Sequence, residues 1–249
     1  MVRIAISGCA GKMGSRIFSL ASEDKNLEAV VGLEQKSHPA IGSSIGKVKV
    51  SDNPDEIKNA DVLIEFTTPQ ATVGHLDYAL RHKKAMVIGT TGLAEEQVSR
   101  IKDASKNIPI VFSPNMSIGV NLLFKLVKEA AAKLSKDYNV NIVEAHHIHK
   151  KDAPSGTAKK LAQIIKDASG RDVTDIKSIR EGEIIGDHKV TFESSLDTIE
   201  LAHSARTRDI FAKGALEAAK FVVDRPPKLY DMQDVLSEIK RERLNFQTD

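Results

Sequence analysis

Tryptophan is absent, aromatic residues make up only 4% of the chain, and cysteine occurs once, at Cys9. So few aromatics argue against nucleic-acid binding by base stacking. A single thiol excludes any internal disulfide and fits a reducing, intracellular setting. No apolar run approaches the ~20 residues that a bilayer-crossing helix needs. The N-terminus, Met1-Val-Arg-Ile-Ala-Ile, enters an apolar run with neither a charged leader nor a cleavage site, so no signal peptide is expected. Together these absences predict a cytoplasmic protein with no membrane partner. Excess charge of either sign is also missing: a formal net charge of +2 is too small to make nucleic acid the main partner. With 249 residues, 41% hydrophobic and 28% charged, the chain is long enough for one large or two medium globular domains.

What is present begins with a short apolar strand over Arg3–Ser7, then Gly8-Cys9-Ala10-Gly11-Lys12-Met13-Gly14, then a helix over Ser15–Ala21. A second strand, Leu27–Leu33, ends at Glu34. Strand, glycine loop, helix, strand and acid follow one another as in dinucleotide-binding units. Glycines let the backbone approach a pyrophosphate, the helix start offers N–H groups, and the acid can accept bonds from ribose hydroxyls. The spacing is G-x-x-G-x-x-G rather than the strict fingerprint, so the surrounding elements carry the reading more than the motif does. Glu34 disfavours a 2′-phosphate by charge, whereas Lys36 can attract one, so NADH and NADPH both stay open. Cys9 reads as a small residue that fits the loop.

Strands are expected at Asp61–Phe66, Ala85–Ile88 and Ile108–Phe112, with helices at Ala71–His82 and Ala94–Lys106 between them. That alternation predicts a parallel sheet covered on both faces. Ligands bind beyond the carboxyl ends of such strands. There stand Thr67-Thr68, Gly89-Thr90-Thr91 and Ser113-Pro114-Asn115-Met116, small hydroxyl, glycine and amide residues suited to a cofactor groove.

A helix follows over Ile118–Lys136, with Ile118, Leu122, Leu126 and Ala130 along one side and Leu123 and Val127 beside them. The rhythm then changes. Strands at Asn139–Ala145, Asp175–Arg180, His188–Ser194 and Asp197–Ser204 have little helix among them, and a helix returns over Ile210–Val223, with a short terminal one at Met232–Arg241. The fold class expected is α/β: a Rossmann-type doubly wound parallel sheet plus a second α+β domain with a mainly antiparallel sheet. The boundaries expected are 1–117, with 209–249 returning to it, for the dinucleotide-binding domain, and 118–208 for a substrate domain.

The densest chemistry lies in Glu144-Ala-His146-His147-Ile-His149-Lys150-Lys151-Asp152-Ala-Pro154-Ser155-Gly156-Thr157-Ala158. Histidine can deliver a proton near neutral pH, and Lys150 is a second cation or acid. Ser155 suits an N-cap, with the N–H groups of Gly156 and Thr157 at the helix start forming an anion site. A solvated charge cluster would explain any one of these residues, but not all of them against a helix start. Zinc is a poorer reading, because the histidine and acid spacing matches no metal pattern. The partner implied is a small carboxylate substrate that is held and protonated.

This stretch resembles the signature E-x-H-H-x-x-K-x-D-A-P-S-G-T-A of the dihydrodipicolinate (4-hydroxy-tetrahydrodipicolinate) reductase family. The loop Gly8–Met13, Gly89–Thr91, Ser113–Met116, Arg180–His188 and Arg208–Ala215 are similar to that family too. The resemblance implies reduction of a cyclic dicarboxylate by NADH or NADPH in lysine and diaminopimelate synthesis. It implies His146 as proton donor and acceptor, Lys150 as second proton donor, and His147, Gly156 and Thr157 as substrate contacts. It also implies Glu34 as ribose-binding acid and a homotetramer built through the second domain's sheet. Gln35 stands where many relatives carry Arg.

Overall fold

The computed structural model describes residues 1–173 and 175–245. The chain divides into two compact units, Met1–Ser117 with Phe211–Asp249, and Ile118–Ile210.

The first unit opens with β1 (Val2–Ser7), α1 (Lys12–Glu23), β2 (Leu27–Leu33), β3 (Ser44–Ile45), β4 (Val48–Ser51) and a 3-10 turn at Pro54–Asn59. It continues through β5 (Val62–Glu65), α2 (Pro69–His82), β6 (Ala85–Ile88), α3 (Glu95–Ala104) and β7 (Ile110–Phe112). The next elements are α4 (Ile118–Lys133), β8 (Asn139–His146), α5 (Gly156–Ser169), β9 (Ile176–Arg180), β10 (Asp187–Glu193) and β11 (Thr198–Ser204). The chain ends with α6 (Asp209–Val222), β12 (Leu229–Tyr230) and α7 (Met232–Asn245).

One sheet runs in the order β12-β7-β6-β5-β1-β2-β4-β3, parallel except for the β3–β4 hairpin. Every residue of β5 and β6 is buried, as expected where both faces of a parallel sheet are covered. Ala5, Leu63, Met86 and Ile88 form its core with Leu76 of α2 and Ile101 of α3. Chain order reverses between β1 and β5, since β1 leads outward to β2 while β5 begins the march to β7. In such sheets that reversal opens a crevice at the strand ends. The strands and helices expected from the sequence are all present. β3, β4 and β12 are additional, and α1 begins at Lys12 rather than Ser15, so Lys12 and Met13 belong to its first turn.

The other sheet has the order β11-β10-β8-β9. β10 is antiparallel to both β8 and β11, whereas β9 is parallel to β8 because α5 carries the chain back between them. Its core joins Ile142, Val190 and Phe192 to Leu161 and Ile165 of α5 and to α4. The expected face of α4 needs correction. Val120, Leu123, Phe124, Val127 and Ala131 are buried, while Leu122 and Leu126 stay 43% and 45% exposed. The expected end of this helix also shortens, from Lys136 to Lys133.

Candidate active site

In the first unit, the glycine loop lies at the carboxyl end of β1. Gly8 takes a left-handed conformation, φ +71°, which a side chain would strain. Its N–H and that of Cys9 both donate to the carbonyl of Leu33, at 2.9 and 3.2 Å, pinning the loop to the end of β2. Glu34 follows there, and its Oε1 accepts from the N–H of Ala10 at 2.9 Å. Acid and loop therefore form one rigid turn. Gly14 packs so closely that a Cβ on it would fall 2.0 Å from the carbonyl oxygen of Gly8. Gly11 precedes α1 with no side-chain cap, so no side chain occupies the acceptor position at that helix start. A cradle that a methyl would fill, an uncapped helix start and a carboxylate at the loop's edge fit a pyrophosphate and its ribose. Cys9 is buried, and burial, followed by the charge of Glu34, pushes its thiol up to about 11, which leaves it an unreactive packing residue.

The neighbouring strand ends are tied into the same rim. Gly89 lies under the Phe66 ring, where a Cβ would come within 2.3 Å of that ring. Thr90 is buried and its hydroxyl accepts from Thr72 Oγ1 at 2.8 Å and from the Thr67 N–H at 3.2 Å; Thr91 is exposed. In the turn after β7, Ser113 Oγ donates to the carbonyl of Asn115 at 2.9 Å, Asn115 Oδ1 accepts from the Ser117 N–H at 2.9 Å, Pro114 is exposed and Met116 is buried.

Sequence reasoning missed a pair of a buried acid and a half-buried histidine beneath this rim. Glu65, fully buried at the end of β5, bonds His75 Nδ1 of α2 at 2.8 Å and accepts from the Thr67 hydroxyl; Ser7 Oγ lies 3.1 Å from the same ring nitrogen. Glu65 and His75 thus lock the ends of β1 and β5 to α2. The signal available was an acid at the end of an otherwise apolar strand. His75→Ala leaves that buried carboxylate short of a partner and is expected to cost about 1–3 kcal/mol of stability, read by urea denaturation.

The second unit holds the basic stretch. β8 runs one residue further than expected, so His146 is its last strand residue rather than the first of a loop. Strand period 2 then points Glu144 and His146 to one face. Glu144 is fully buried and its carboxylate is surrounded by donors. Oε1 accepts from Arg180 Nη2 at 2.8 Å and from the Ser155 N–H at 3.2 Å. Oε2 accepts from Arg180 Nη1 at 3.0 Å and lies 2.5 Å from His146 Nδ1. Burial alone would raise the Glu144 pKa, but hydrogen bonds from Arg180, Ser178, His146 and Ser155 outweigh it and pull it to about 2. His146 is shifted below the ordinary histidine value, by burial first and then by the charges of Lys150 and Arg180, against the raising effect of Glu144.

Ser155 caps α5 as expected, its hydroxyl accepting from the Ala158 N–H at 3.2 Å. The same hydroxyl lies 3.2 Å from His188 Nε2 of β10. His188 is buried against His146, ring centroids 5.2 Å apart at 75°, and burial, then the charge of His146, push it down to about 4, so it is neutral. Gly186 leaves His146 Nε2 uncovered, since a Cβ there would sit 3.1 Å from that nitrogen. Gly156 is exposed and Thr157 half-buried in the first turn of α5. His147 is half-buried, its Nδ1 among the buried atoms without a hydrogen bond. Lys150 Nζ pairs with Asp152 Oδ1 at 2.7 Å. Among the described residues, no group of His, Cys, Asp or Glu is arranged to hold a metal ion, and no helix is long and apolar enough to cross a membrane. Arg180 and His188 were not assigned roles from the sequence, and Ser155 only that of a cap; the sheet register sets Arg180 beside His146 and His188 beside Glu144.

Comparison with known proteins shows the family and the fold. Residues 2–116 match the family model "Dihydrodipicolinate reductase, N-terminus" and residues 119–236 its C-terminal counterpart. A 4-hydroxy-tetrahydrodipicolinate reductase of Syntrophus aciditrophicus (strain SB) is 42% identical over 264 residues, covering 95% of this chain and 98% of the relative. One from Aquifex aeolicus (strain VF5) is 44% identical over 265 residues, covering 94% and 98%. Among solved structures, a dipicolinate-bound dihydrodipicolinate reductase from Paenisporosarcina sp. TG-14 superposes with a TM-score of 0.80 at 28% identity, covering 93% of this chain and 97% of that one. With the two family models together matching most of its length and relatives this similar over nearly their full length, the chain belongs to the dihydrodipicolinate reductase family of NAD(P)H-dependent oxidoreductases.

Proposed function

We propose that this protein reduces 4-hydroxy-tetrahydrodipicolinate to tetrahydrodipicolinate, a step of lysine and diaminopimelate synthesis, with His146 as the proton donor. The observation that carries the assignment of His146 is the Glu144–His146 pair on one strand face, joined through Ser155 to the first turn of α5. NADH or NADPH, when bound, supplies the hydride. The chain's own residues do the rest. Gly8 to Met13 with Glu34 hold the dinucleotide at the first unit's rim, and Gly89–Thr91 and Ser113–Met116 line that rim. Gly156 and Thr157, at the positive end of α5, bind a substrate carboxylate. His147 contacts the substrate. Lys150 exchanges its Asp152 partner for the substrate's negative charge and is the second proton donor.

The 4-hydroxyl of the substrate leaves as water with a hydrogen from the neighbouring carbon, giving the conjugated dihydro ring. Hydride addition to that ring leaves negative charge delocalised over the remaining conjugated system and its carboxylate. Nearby cations stabilise that charge, and a proton from His146 Nε2 quenches it. Glu34 and Gln35 favour NADH, while Lys36 keeps NADPH usable. The reading extends to a cytoplasmic homotetramer assembled through the second unit's sheet.

Steady-state kinetics with NADH and NADPH on enzymatically generated substrate provide the test. Turnover with both nucleotides is expected. A protein that leaves this substrate unreduced with either nucleotide but turns over another small carboxylate, such as an amino acid's keto form, would remove this assignment.

A further inference from the structure

The proton donor and the carboxylate-binding helix start are separate parts of the reading above, yet both are fastened to one side chain. Glu144 offers two oxygens, and each takes a donor from Arg180. Oε2 is left for the His146 ring and Oε1 for the backbone N–H of Ser155, the residue that caps α5. An ionised carboxylate only accepts hydrogen bonds. The hydrogen between it and His146 therefore resides on Nδ1, and the exchangeable position of the ring is Nε2, the nitrogen that Gly186 leaves uncovered.

The other oxygen fixes the α5 start. Ser155 donates its N–H to Oε1, accepts the Ala158 N–H on its hydroxyl, and faces His188 through the same hydroxyl. Gly156 and Thr157 follow immediately. Their N–H groups inherit the placement of Ser155, and the ring of His146 inherits the placement of Oε2. A carboxylate as short and as crowded as this cannot shift toward one partner without releasing the other.

We propose that Glu144 is the positioning residue of this enzyme, one carboxylate that sets both the tautomer of His146 and the seat of the substrate carboxylate at the start of α5. The proposal rests on the reading of His146 as proton donor. In it, Glu144 never touches substrate. It makes Nε2 the site that gains and gives the proton, and it holds the distance from that site to the anion-binding turn. Its charge also favours the protonated ring that donation requires. The charged or titratable groups around the ring are Glu144 on its own strand, Arg180 on β9, Lys150 and His147 in the following loop, and His188 on β10, with Asp187 and His203 beyond His188. Lys150 and Arg180 oppose a positive charge on His146, while His188 is neutral, so Glu144 is the group that permits it.

Three variants of the full-length protein test this: Glu144→Gln, Glu144→Asp and His146→Ala, each assayed for kcat, both KM values, NADH affinity and the pH profile. In E144Q the expected result is a ~10²-fold loss of kcat, a raised KM for the dicarboxylate, and unchanged NADH affinity. The alkaline limb of its kcat profile moves to lower pH, because the group that favoured the protonated ring has lost its charge. A residue that merely supported the fold would not move that limb. E144D keeps the charge but is one methylene too short to reach both partners, so its limb stays near the parent's while kcat still falls. E144Q with parental kcat and an unmoved limb overturns the proposal. If E144Q does not fold, E144D decides, and parental kcat and KM in folded E144D overturn it equally. His146→Ala separates the two layers. A slow H146A beside a fully active E144Q defeats only the role of Glu144, whereas an H146A at the parent rate defeats the reading beneath it as well.

Discussion

Replacing His146 with alanine is expected to lower kcat by ~10²-fold or more while NADH affinity stays at the parent value. The size follows from what general acids contribute. The selectivity follows from where the ring sits. His146 ends β8 in the second unit, whereas the glycine loop, Glu34 and the strand ends that suit a dinucleotide all belong to the first. Folding should survive the change. Glu144 keeps its bonds from Arg180 and Ser155 when the imidazole is removed, so the buried carboxylate is not orphaned and the penalty stays at about 1 kcal/mol. Fluorescence titration with NADH and a thermal melt establish both points before kinetics are read. The pH dependence adds a second check. His146 lies below the ordinary histidine range in the free protein, chiefly through burial, so most of it is neutral at pH 7. An anionic substrate beside it restores the proton, and the parent's dependence on that proton is expected to vanish in H146A. An unchanged rate and an unchanged profile would sink His146 as the acid.

The parallel sheet was legible because its signals are local. Apolar runs ending in glycine, hydroxyl or acid residues recur at each strand, and helical stretches separate them; the cap Thr68-Pro69 puts the start of α2 two residues before the expected Ala71. β3 and β12 span two residues each, too few for any periodicity to register. α4 misled for the opposite reason. Apolar residues stand on more than one of its faces, so the row Ile118, Leu122, Leu126 competes with the row Val120, Phe124, Val127, and only packing against the sheet and α5 decides between them. The basic stretch announced a proton donor and an anion site. It could not announce what holds them, because Arg180 and His188 lie 36 and 44 positions after Glu144, and strand register rather than sequence proximity sets them beside it. The cofactor rim repeats the lesson: Gly8, Gly14 and Glu34 are readable from spacing, but the Glu65–His75 brace below them depends on a strand and a helix meeting in space.

The other large effect is expected at Gly14. A methyl group there would lie 2.0 Å from the carbonyl oxygen of Gly8 and 2.7 Å from the Cα of Cys9, all backbone atoms that no rotamer change can move aside. Relief requires the start of α1 to back away from the end of β1, which opens the close approach that lets backbone N–H groups reach a pyrophosphate. The turn it disturbs also carries the Ala10 N–H that Glu34 accepts, so loop and acid move together. Gly14→Ala is therefore expected to weaken NADH binding at least 10²-fold and to lose ~1–3 kcal/mol of stability through overpacking. Two neighbouring substitutions calibrate the result. At Gly11 the nearest atom to an added Cβ is 3.1 Å away, so Gly11→Ala should bind NADH more weakly than the parent but far better than G14A. At Gly74, inside α2, nothing lies within 4 Å, and Gly74→Ala should stabilise the helix by about 0.5–1 kcal/mol with no effect on the nucleotide. The order G74A, G11A, G14A in falling NADH affinity is what close approach of α1 to the loop demands. Were G14A to bind NADH as the parent does, the cradle assigned to Gly8–Gly14 would not be where the dinucleotide rests.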